Sequence, residues 1–300
     1  MKSFIRRAYA MNQNNSILFE KHKDILSFRD LAVGTVATYL SYLNIFIQWF
    51  EENLPGRDLS SVTWAEIRSY VRYLKDIRGL NSRTVNVHIS QLRDFFYYVL
   101  HKDWDKREVP LLKFDEYLPT VPTKEQVNAI ISSINNPKHK AELALLYSSG
   151  IRVSELCRLR YGDILRSKHA IYISRSKNRS DRYAVLSDHA LNDLYVYART
   201  AYKGATKDSW LFPGQKPGTH ICEESVRRPF FDALSRIGLS DIGFNLHSLR
   251  HAFGLHLYED GVDLMSIKEA MGHKSLSSTT IYLTLGVGNG RSVKSPYDTE

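Results

Sequence analysis

The stretch NLHSLRHAFGLHLYEDGVDLMSIKEAMGHKSLSSTTIYL, residues 245–283, decides how the second half of this chain folds. Its apolar residues recur every three or four positions, which predicts a helix over His247–Tyr258 with one buried side. A second helix is predicted over Asp263–Met271, and a short third one around Ser277–Leu283. The stretch is therefore expected to form consecutive helices of a globular domain.

Polar residues along this stretch have the side chains of a reactive site. They fall in three motifs, HSLRH at 247–251, MGHKS at 271–275 and IY at 281–282. Further upstream, the motif GIRVSE at 150–155 adds an arginine and a carboxylate. Two arginines, several histidines and a tyrosine are therefore spread over four motifs of one predicted domain.

The only clear β signal lies between these groups of motifs. His169–Ser174 and Tyr183–Ser187 flank the polar turn RSKNRSD, which contains Lys177, and together they predict a hairpin. From Arg152 to Arg182 the chain has nine basic and three acidic side chains, a net charge of +6. The whole chain carries +9 with a pI near 9.3. Such an excess favours a polyanionic partner, although it also serves solubility.

The first hundred residues read as a small helical bundle of about four helices. Helices are predicted around Ile17–Phe28, over Thr35–Phe50, from Thr63 to Gly79, and from near Ser82 onward. The third begins with a capping pair, because the Thr63 hydroxyl can bond the backbone while Glu66 reaches back. Four arginines lie on the polar face, which is equally well a phosphate-binding or a solvated face: Arg68, Arg72, Arg83 and Arg93.

The helical pattern breaks after His101 into mixed charges and three prolines, which indicates a domain boundary. We place an N-terminal helical domain at 1–107, a linker at 108–122, a second domain at 123–285 and a tail at 286–300. Thr123 and Gln126 form the capping pair that opens the second domain. The tail is rich in Gly and Pro and has little helical spacing of apolar residues.

Composition excludes several classes of protein. With 300 residues, 43% hydrophobic and 24% charged, the chain is expected to form about two ordinary globular domains, not a disordered or collagenous protein. Its two cysteines, Cys157 and Cys222, fit a reducing compartment and form no CxxC pair. No apolar run approaches the ~18 residues of a membrane span, and the start has no signal-peptide core. We expect a cytoplasmic, nucleoid-associated protein without membrane contact.

The order of the motifs resembles the tyrosine recombinase, or phage integrase, family and its Xer-like members. An arginine, a hairpin lysine, HxxR, GH and a tyrosine nine residues after that histidine follow one another as in this family, over about residues 120–285. The resemblance implies a mainly helical fold with a small β-hairpin. It implies an N-terminal core-binding bundle and a mixed α/β catalytic domain, which close on DNA as a C-shaped clamp.

The residue types suit the chemistry that the resemblance implies. Breaking a phosphodiester requires charge stabilisation on the nonbridging oxygens, an oxygen nucleophile and a proton for the departing 5′ oxygen. Arg152 and Arg250 would clamp the phosphate, because a guanidinium stays charged and donates two hydrogen bonds. Tyr282 would be the nucleophile, activated by surrounding cations.

Three further residues complete the implied catalytic set. His247 would accept or relay the tyrosine proton and contact a nonbridging oxygen, and His273 would donate a hydrogen bond to the phosphate. Lys177 would protonate the leaving 5′ oxygen, since the neighbouring arginines release protons poorly. Lys168 is the fallback candidate for this role.

Plainer interpretations stay open for these residues. Arg152 could be a surface arginine paired with Glu155 one turn along a helix, and Glu155 is expected to be structural, supporting the arginine clamp. Arg250 could be an exposed basic residue, and Lys177 a nonspecific phosphate contact. Tyr282 could be one of 18 tyrosines that pack in a core.

The histidines also have alternatives. His247 and His251 lie four residues apart, a spacing that suits a metal pair, but no HExxH motif and no third ligand accompany them. His251 is expected to be a packed or capping residue, and His273 could be a helix-end histidine without a role. Tyr258, in phase with Leu255, is interpreted as core.

The resemblance implies a site-specific DNA recombinase that cleaves and rejoins strands through a 3′-phosphotyrosyl intermediate and a Holliday junction. Its partners would be double-stranded DNA with specific recombination sites and further copies of itself in a synaptic tetramer. No cofactor or metal is implied, because the phosphotyrosine conserves the bond energy, and no GxxxxGK[ST] loop is found. The alternatives are relaxation of DNA in the manner of type IB topoisomerases and a non-catalytic DNA-binding regulator.

The predicted tail departs from the family pattern. Members commonly end in an apolar helix that docks into a neighbouring subunit, whereas the residues after Tyr282 have little apolar helical spacing. Coupling between subunits is therefore expected to use another element, or a tail that orders only on assembly.

Overall fold

A computed structural model describes residues 11–115, 117–174, 181–201 and 204–287. The chain folds into two compact units, Met1–Glu116 and Tyr117–Glu300. The mainly helical architecture with one small sheet agrees with the predicted fold class. Within the described ranges, no helix has the length and apolar character needed to cross a bilayer.

The first unit is a bundle of helices. The helices are α1 (Gln13–Phe28), α2 (Val33–Asn53), α3 (Trp64–Arg72) and α4 (Ser82–Phe95), and a wider π-helical turn extends each of the last two, over Tyr73–Ile77 and Phe96–Leu100. The predicted capping box is confirmed, since the Thr63 hydroxyl accepts from the backbone N–H of Glu66 and the Glu66 carboxylate accepts from that of Thr63. Helix α3 therefore begins at the position that the sequence predicts, with Thr63 as its N-cap.

Aromatic side chains fill the interior of the bundle. Phe46 and Phe50 of α2 lie with Tyr70 of α3 and Phe95 of α4 in one fully buried cluster. The Tyr70 hydroxyl lies 2.9 Å from Nδ1 of His88, which is also buried. This pair satisfies two polar groups that would otherwise be unpaired in an apolar core.

The segment after the bundle still packs on it. Val109 is buried in the bundle core, and Leu112 exchanges two backbone hydrogen bonds of 2.8 Å with the side chain of Asn86. The indole N–H of Trp104 donates to the carbonyl of Val109. The start of the predicted linker is therefore held against α4.

The second unit combines helices with three short antiparallel strands. Its helices are α5 (Lys124–Ser132), α6 (Pro137–Ser149), α7 (Val153–Cys157), α8 (Asp188–Ala201), α9 (Glu223–Arg236), α10 (Leu246–Glu259), α11 (Leu264–Met271) and α12 (Ile281–Val287). The strands are β1 (Ile164–Leu165), β2 (Ala170–Ile173) and β3 (Arg182–Val185), in the order β1-β2-β3. The predicted hairpin and the Thr123–Gln126 capping box are confirmed, and β1 is an addition.

The register of the hairpin fixes which of its residues face the core. Ile171 pairs with Ala184 and Tyr172 with Tyr183, so the residues of the first pair point inward and those of the second outward. Ile173 pairs with Arg182, the first residue of β3. Arg182 therefore lies opposite the buried Ile173, on a strand that packs against α11.

Candidate active site

Arg152 lies at the junction of α6 and α7. Helix α6 ends at Ser149 and is followed by Gly150, whose φ of +61° is accessible to glycine with little strain, and the chain turns there into α7. The backbone N–H of Arg152 donates to Oε2 of Glu155 at 2.8 Å, and its Nη1 donates to Oε1 of the same carboxylate at 3.0 Å. The pairing with Glu155 that the sequence offered as an alternative is therefore present, but both side chains are largely buried and not on an open surface.

Arg250 projects from α10 into the interior and is 3% exposed. Its guanidinium donates to the carbonyl of Gly150 and, at 2.6 Å, to that of Met271. Each carbonyl lies two residues before a candidate site residue, Arg152 in one case and His273 in the other. Burial and the nearby Arg152 lower the pKa of Arg250 to about 10, so the side chain is still charged at neutral pH. The interpretation of Arg250 as an exposed residue is wrong.

Two histidines share one face of α10 beside Arg250. Asn245 caps the helix by accepting from the backbone N–H of His247, and the rings of His247 and His251 meet edge to face at 4.6 Å. Burial, followed by the charges of Arg250 and Arg152, lowers the pKa of His247. Burial and His247 lower the pKa of His251 to about 4. Both imidazoles are therefore neutral at physiological pH.

His273 follows the end of α11 in a tight turn. Gly272 adopts a φ of +63°, which reverses the chain and projects the next side chain toward the site. Nδ1 of His273 lies 2.9 Å from the hydroxyl of Thr279. Burial, then Arg250 and Arg152, lower the pKa of His273 to about 4.

The hydroxyl of Tyr282 is buried, which differs from the expectation of a phenol surrounded by cations. Tyr282 is 0% exposed, its ring lies 6.3 Å from that of His251, and its hydroxyl donates to the sulfur of Met271 at 3.4 Å. Burial raises its pKa to about 12, and the charge of Arg250 opposes this. The ring fits because Gly254 of α10 offers it a flat surface without a Cβ.

Sequence reasoning missed the position of Arg182. The sequence suggests this arginine only as a poor proton donor of the basic hairpin, yet its Nη2 donates to Glu155 at 2.9 Å and its side chain is 11% exposed. Glu155 thus lies between Arg152 and Arg182. The sequence signal was a carboxylate beside one arginine and a second arginine opening a strand, but no spacing rule relates residues 27 positions apart.

The structure brings together five of the six predicted site residues. Arg152, His247, Arg250, His273 and Tyr282 lie in one region of the second unit, whereas Lys177 lies outside the described residues. The fallback Lys168 lies in a short turn ahead of β2. Among residues that the structure describes, no group of three or more His, Cys, Asp or Glu is arranged to hold a metal ion. The region is strongly cationic, with three guanidiniums around the carboxylate of Glu155.

Comparison with protein families gives the class of this site. Residues 121–287 match the model of the phage integrase family, and residues 18–106 match that of the phage integrase N-terminal SAM-like domain. The chain therefore belongs to the phage integrase family, the tyrosine recombinases, which break and rejoin DNA strands.

Individual relatives cover most of the chain. It is 31% identical over 286 residues to y4qK of Sinorhizobium fredii, which is provisionally named an integrase/recombinase, covering 94% of this chain and 88% of that one. It is 29% identical to tyrosine recombinase XerC of Bacillus pumilus, covering 83% and 85% of the two chains.

Among solved structures, XerH recombinase in a post-cleavage complex with palindromic difH substrate superimposes with a TM-score of 0.71 at 20% identity, covering 92% and 82% of the two chains. The fold is thus that of the tyrosine recombinases.

Proposed function

We propose that this protein is a site-specific DNA recombinase in which Tyr282 forms a transient 3′-phosphotyrosyl bond. The observation that carries the proposal is the gathering of Arg152 and Arg250 with His247 and His273 beside Tyr282. Buried cations are costly without matching anions, and a phosphate group would supply negative charge where the guanidiniums gather. DNA phosphodiesters fit this need, and the overall charge of +9 favours a polyanion.

Arg152 and Arg250 would hold the two nonbridging oxygens. Of the five N–H donors of Arg250, one goes to Gly150 and one to Met271, which leaves the others for an incoming phosphate. The bond from Arg152 to Glu155 fixes one edge of its guanidinium and orients the rest. Losing one such donor in a desolvated site would cost roughly 3 kcal/mol, about a hundredfold in rate.

His247 and His273 have complementary tasks in the proposed reaction. His247 is neutral because its pKa is lowered, so one ring nitrogen is free to accept the proton that leaves the Tyr282 hydroxyl. When the Thr279 hydroxyl donates to Nδ1 of His273, the ring proton is held on Nε2, from which it would be donated to the phosphate.

The reaction exchanges one phosphate ester for another in each step. The Tyr282 oxygen attacks phosphorus, the bond to the 5′ oxygen breaks, and that oxygen takes a proton from Lys177. In the second step the 5′ hydroxyl of a partner strand attacks the phosphotyrosine and regenerates the phenol. Two such exchanges pass through a Holliday junction, and we assign the assembly as a tetramer on two paired DNA sites.

The attack requires Tyr282 to leave its buried position. A thioether sulfur is a weak acceptor, so the bond to Met271 retains the hydroxyl only weakly. The tyrosine lies on the short helix α12, preceded by the Leu276–Ser278 turn, and a shift of this segment would bring the oxygen toward Arg250. In that environment the phenol would lose protons more readily than in the core.

Covalent trapping tests the proposal. A library of nicked duplexes with randomised flanks is incubated with the protein. Cleavage near the nick releases a short fragment that carries the 5′ hydroxyl, and its loss prevents rejoining, so the covalent adduct accumulates. Adducts are isolated after denaturation and the bound DNA is sequenced. Wild type is expected to form adducts with a selected sequence and Tyr282→Phe none, while Tyr195→Phe, at an exposed position on α8, is the control and should keep activity.

The outcomes separate the candidate functions. Equal DNA binding by wild type and Tyr282→Phe without any adduct would refute catalysis and leave a DNA-binding regulator. Relaxation of a supercoiled plasmid that lacks the selected sequence would instead support activity in the manner of a type IB topoisomerase.

A further inference from the structure

Arg182 is the third guanidinium of the site, and its contacts differ from those of a surface residue in a basic hairpin. It opens β3, five residues after Lys177 in the sequence. Its Nη2 bonds Oε2 of Glu155 at 2.9 Å, the same oxygen that accepts from the backbone N–H of Arg152 at 2.8 Å. The other oxygen, Oε1, accepts from the Arg152 guanidinium. One carboxylate therefore joins the two arginines.

A second contact joins Arg182 to the turn that projects His273. A Cβ built on Gly272 would lie 2.2 Å from Nε and 2.5 Å from Cδ of Arg182, so the arginine stem lies flat against this glycine. No other residue leaves enough space, and the φ of +63° favours glycine as well. Arg182 thus touches the elements that carry Arg152 and His273.

We propose that Arg182 is a positioning residue of the phosphate site: its guanidinium orients Glu155, and through it Arg152, while its stem supports the Gly272–His273 turn. The inference rests on the proposed function and adds a residue to it. Because Arg182 is the first residue of β3, the same arginine ties the position of this strand to the phosphate clamp.

The cost of burying Arg182 indicates that stability alone does not explain it. Nε and Nη1 are buried and find no hydrogen-bond acceptor among the described residues. Burial and the like charge of Arg152 lower the pKa of Arg182, against the attraction of Glu155. A side chain that served packing alone would not need a charged head with two unpaired donors, and such buried polar groups concentrate at functional sites.

The test uses the full-length protein and the nicked duplex selected by covalent trapping. Arg182→Ala is expected to lower the single-turnover cleavage rate roughly tenfold to a hundredfold, the usual effect of removing a group that orients a site residue. The DNA dissociation constant should stay within about threefold, because the phosphate contacts of the rest of the protein remain. Arg182→Lys, which keeps a charge for Glu155, should recover part of the rate.

Arg160→Ala is the matched control. Arg160 is an arginine of the same unit that bonds the carbonyl of Asp208 and stacks on Trp210, away from Glu155. It should cleave at the wild-type rate. Adding Arg182→Ala to Glu155→Gln should lower the rate by a smaller factor than Arg182→Ala alone does, since the Arg182 guanidinium acts on Arg152 through that carboxylate.

A neutral methylphosphonate at the cleaved position separates positioning from mere folding. It removes one negative charge that the arginines stabilise, so the defect of Arg182→Ala should shrink to a few-fold. An equal defect on both substrates with a matching fall in melting temperature would overturn the proposal, as would wild-type cleavage by Arg182→Ala.

A different result would contradict the proposed function itself: the wild-type protein would form no adduct with any duplex. Binding of inorganic phosphate, measured by calorimetry, then tests Arg182 without activity. Arg182→Ala should bind phosphate several-fold more weakly than Arg160→Ala, and equal affinity would overturn the inference.

Discussion

Replacing Gly254 by alanine should expel the ring of Tyr282 from its buried position. A Cβ at this residue would lie 2.5 Å from Cζ, 2.6 Å from Cε2 and 2.7 Å from the hydroxyl oxygen of Tyr282. Ordinary contacts between such atoms are about 3.5–4.0 Å, so the ring must move by roughly 1 Å or more. Gly254 lies inside α10, where alanine fits the backbone well, and the clash is therefore the main effect.

The size of the change follows from the burial of the phenol. In solvent the pKa of Tyr282 would fall from about 12 toward about 10. Two units correspond to about 2.7 kcal/mol, or roughly a hundredfold more phenolate at a given pH. Alanine should stabilise α10 by about 0.5–1 kcal/mol, whereas lost burial of the ring costs about 1.5–3 kcal/mol, so the unfolding free energy should fall by about 1–2 kcal/mol.

Nitration with tetranitromethane, which reacts with phenolates, measures the change by mass spectrometry. The wild-type protein supplies its own references, because Tyr117 is 85% exposed and Tyr70 is fully buried. Nitration of Tyr282 should match the slow rate of Tyr70 in wild type and approach that of Tyr117 in Gly254→Ala. Gly34→Ala is the control, because nothing lies within 4 Å of its Cβ. Continued protection of Tyr282 in a folded Gly254→Ala variant would refute the reasoning.

Two further predictions concern stability. Burial lowers the pKa of His88 to about 4, so the folded state favours the neutral ring. The free energy of unfolding is therefore at its full value above the pKa of the unfolded chain, about 6.5, and falls by about 3 kcal/mol as the pH drops toward 4. His88→Gln should remove that part of the acid sensitivity in urea titrations followed by tryptophan fluorescence, and an unchanged pH profile would contradict it. Gly150→Ala should destabilise by roughly 2–4 kcal/mol, because its φ is +61° and its Cβ would meet the Phe253 ring at 2.2 Å. A melting temperature equal to that of Gly34→Ala would show this assignment to be wrong.

Local signals in the sequence predict most of the fold. The capping pairs at Thr63 and Thr123 locate two helix starts, because a hydroxyl followed three residues later by Glu or Gln satisfies the first backbone N–H groups. The alternation around Ile171 and Ala184 gives the hairpin. Strand β1 escapes prediction, since Ile164 and Leu165 form too short a run to show a period.

The candidate site is predictable in its residue types but not in its contacts. The motifs identify Arg250, yet its burial and its two carbonyl acceptors depend on how α10 packs against the ends of α6 and α11. The same holds for Arg182, whose partner Glu155 belongs to another element. The concealment of Tyr282 depends on the absence of one Cβ at Gly254, which the sequence shows only as a glycine in a helix.

The two carbonyl bonds of Arg250 bear on how the chain tolerates truncation. One acceptor belongs to the middle of the polypeptide and the other to its last tenth. A fragment cut before Met271 would keep Arg250 but lose one acceptor, leaving an interior charge with too few partners. Proteolytic trimming that removes Met271 should therefore destabilise the second unit as well as inactivate it.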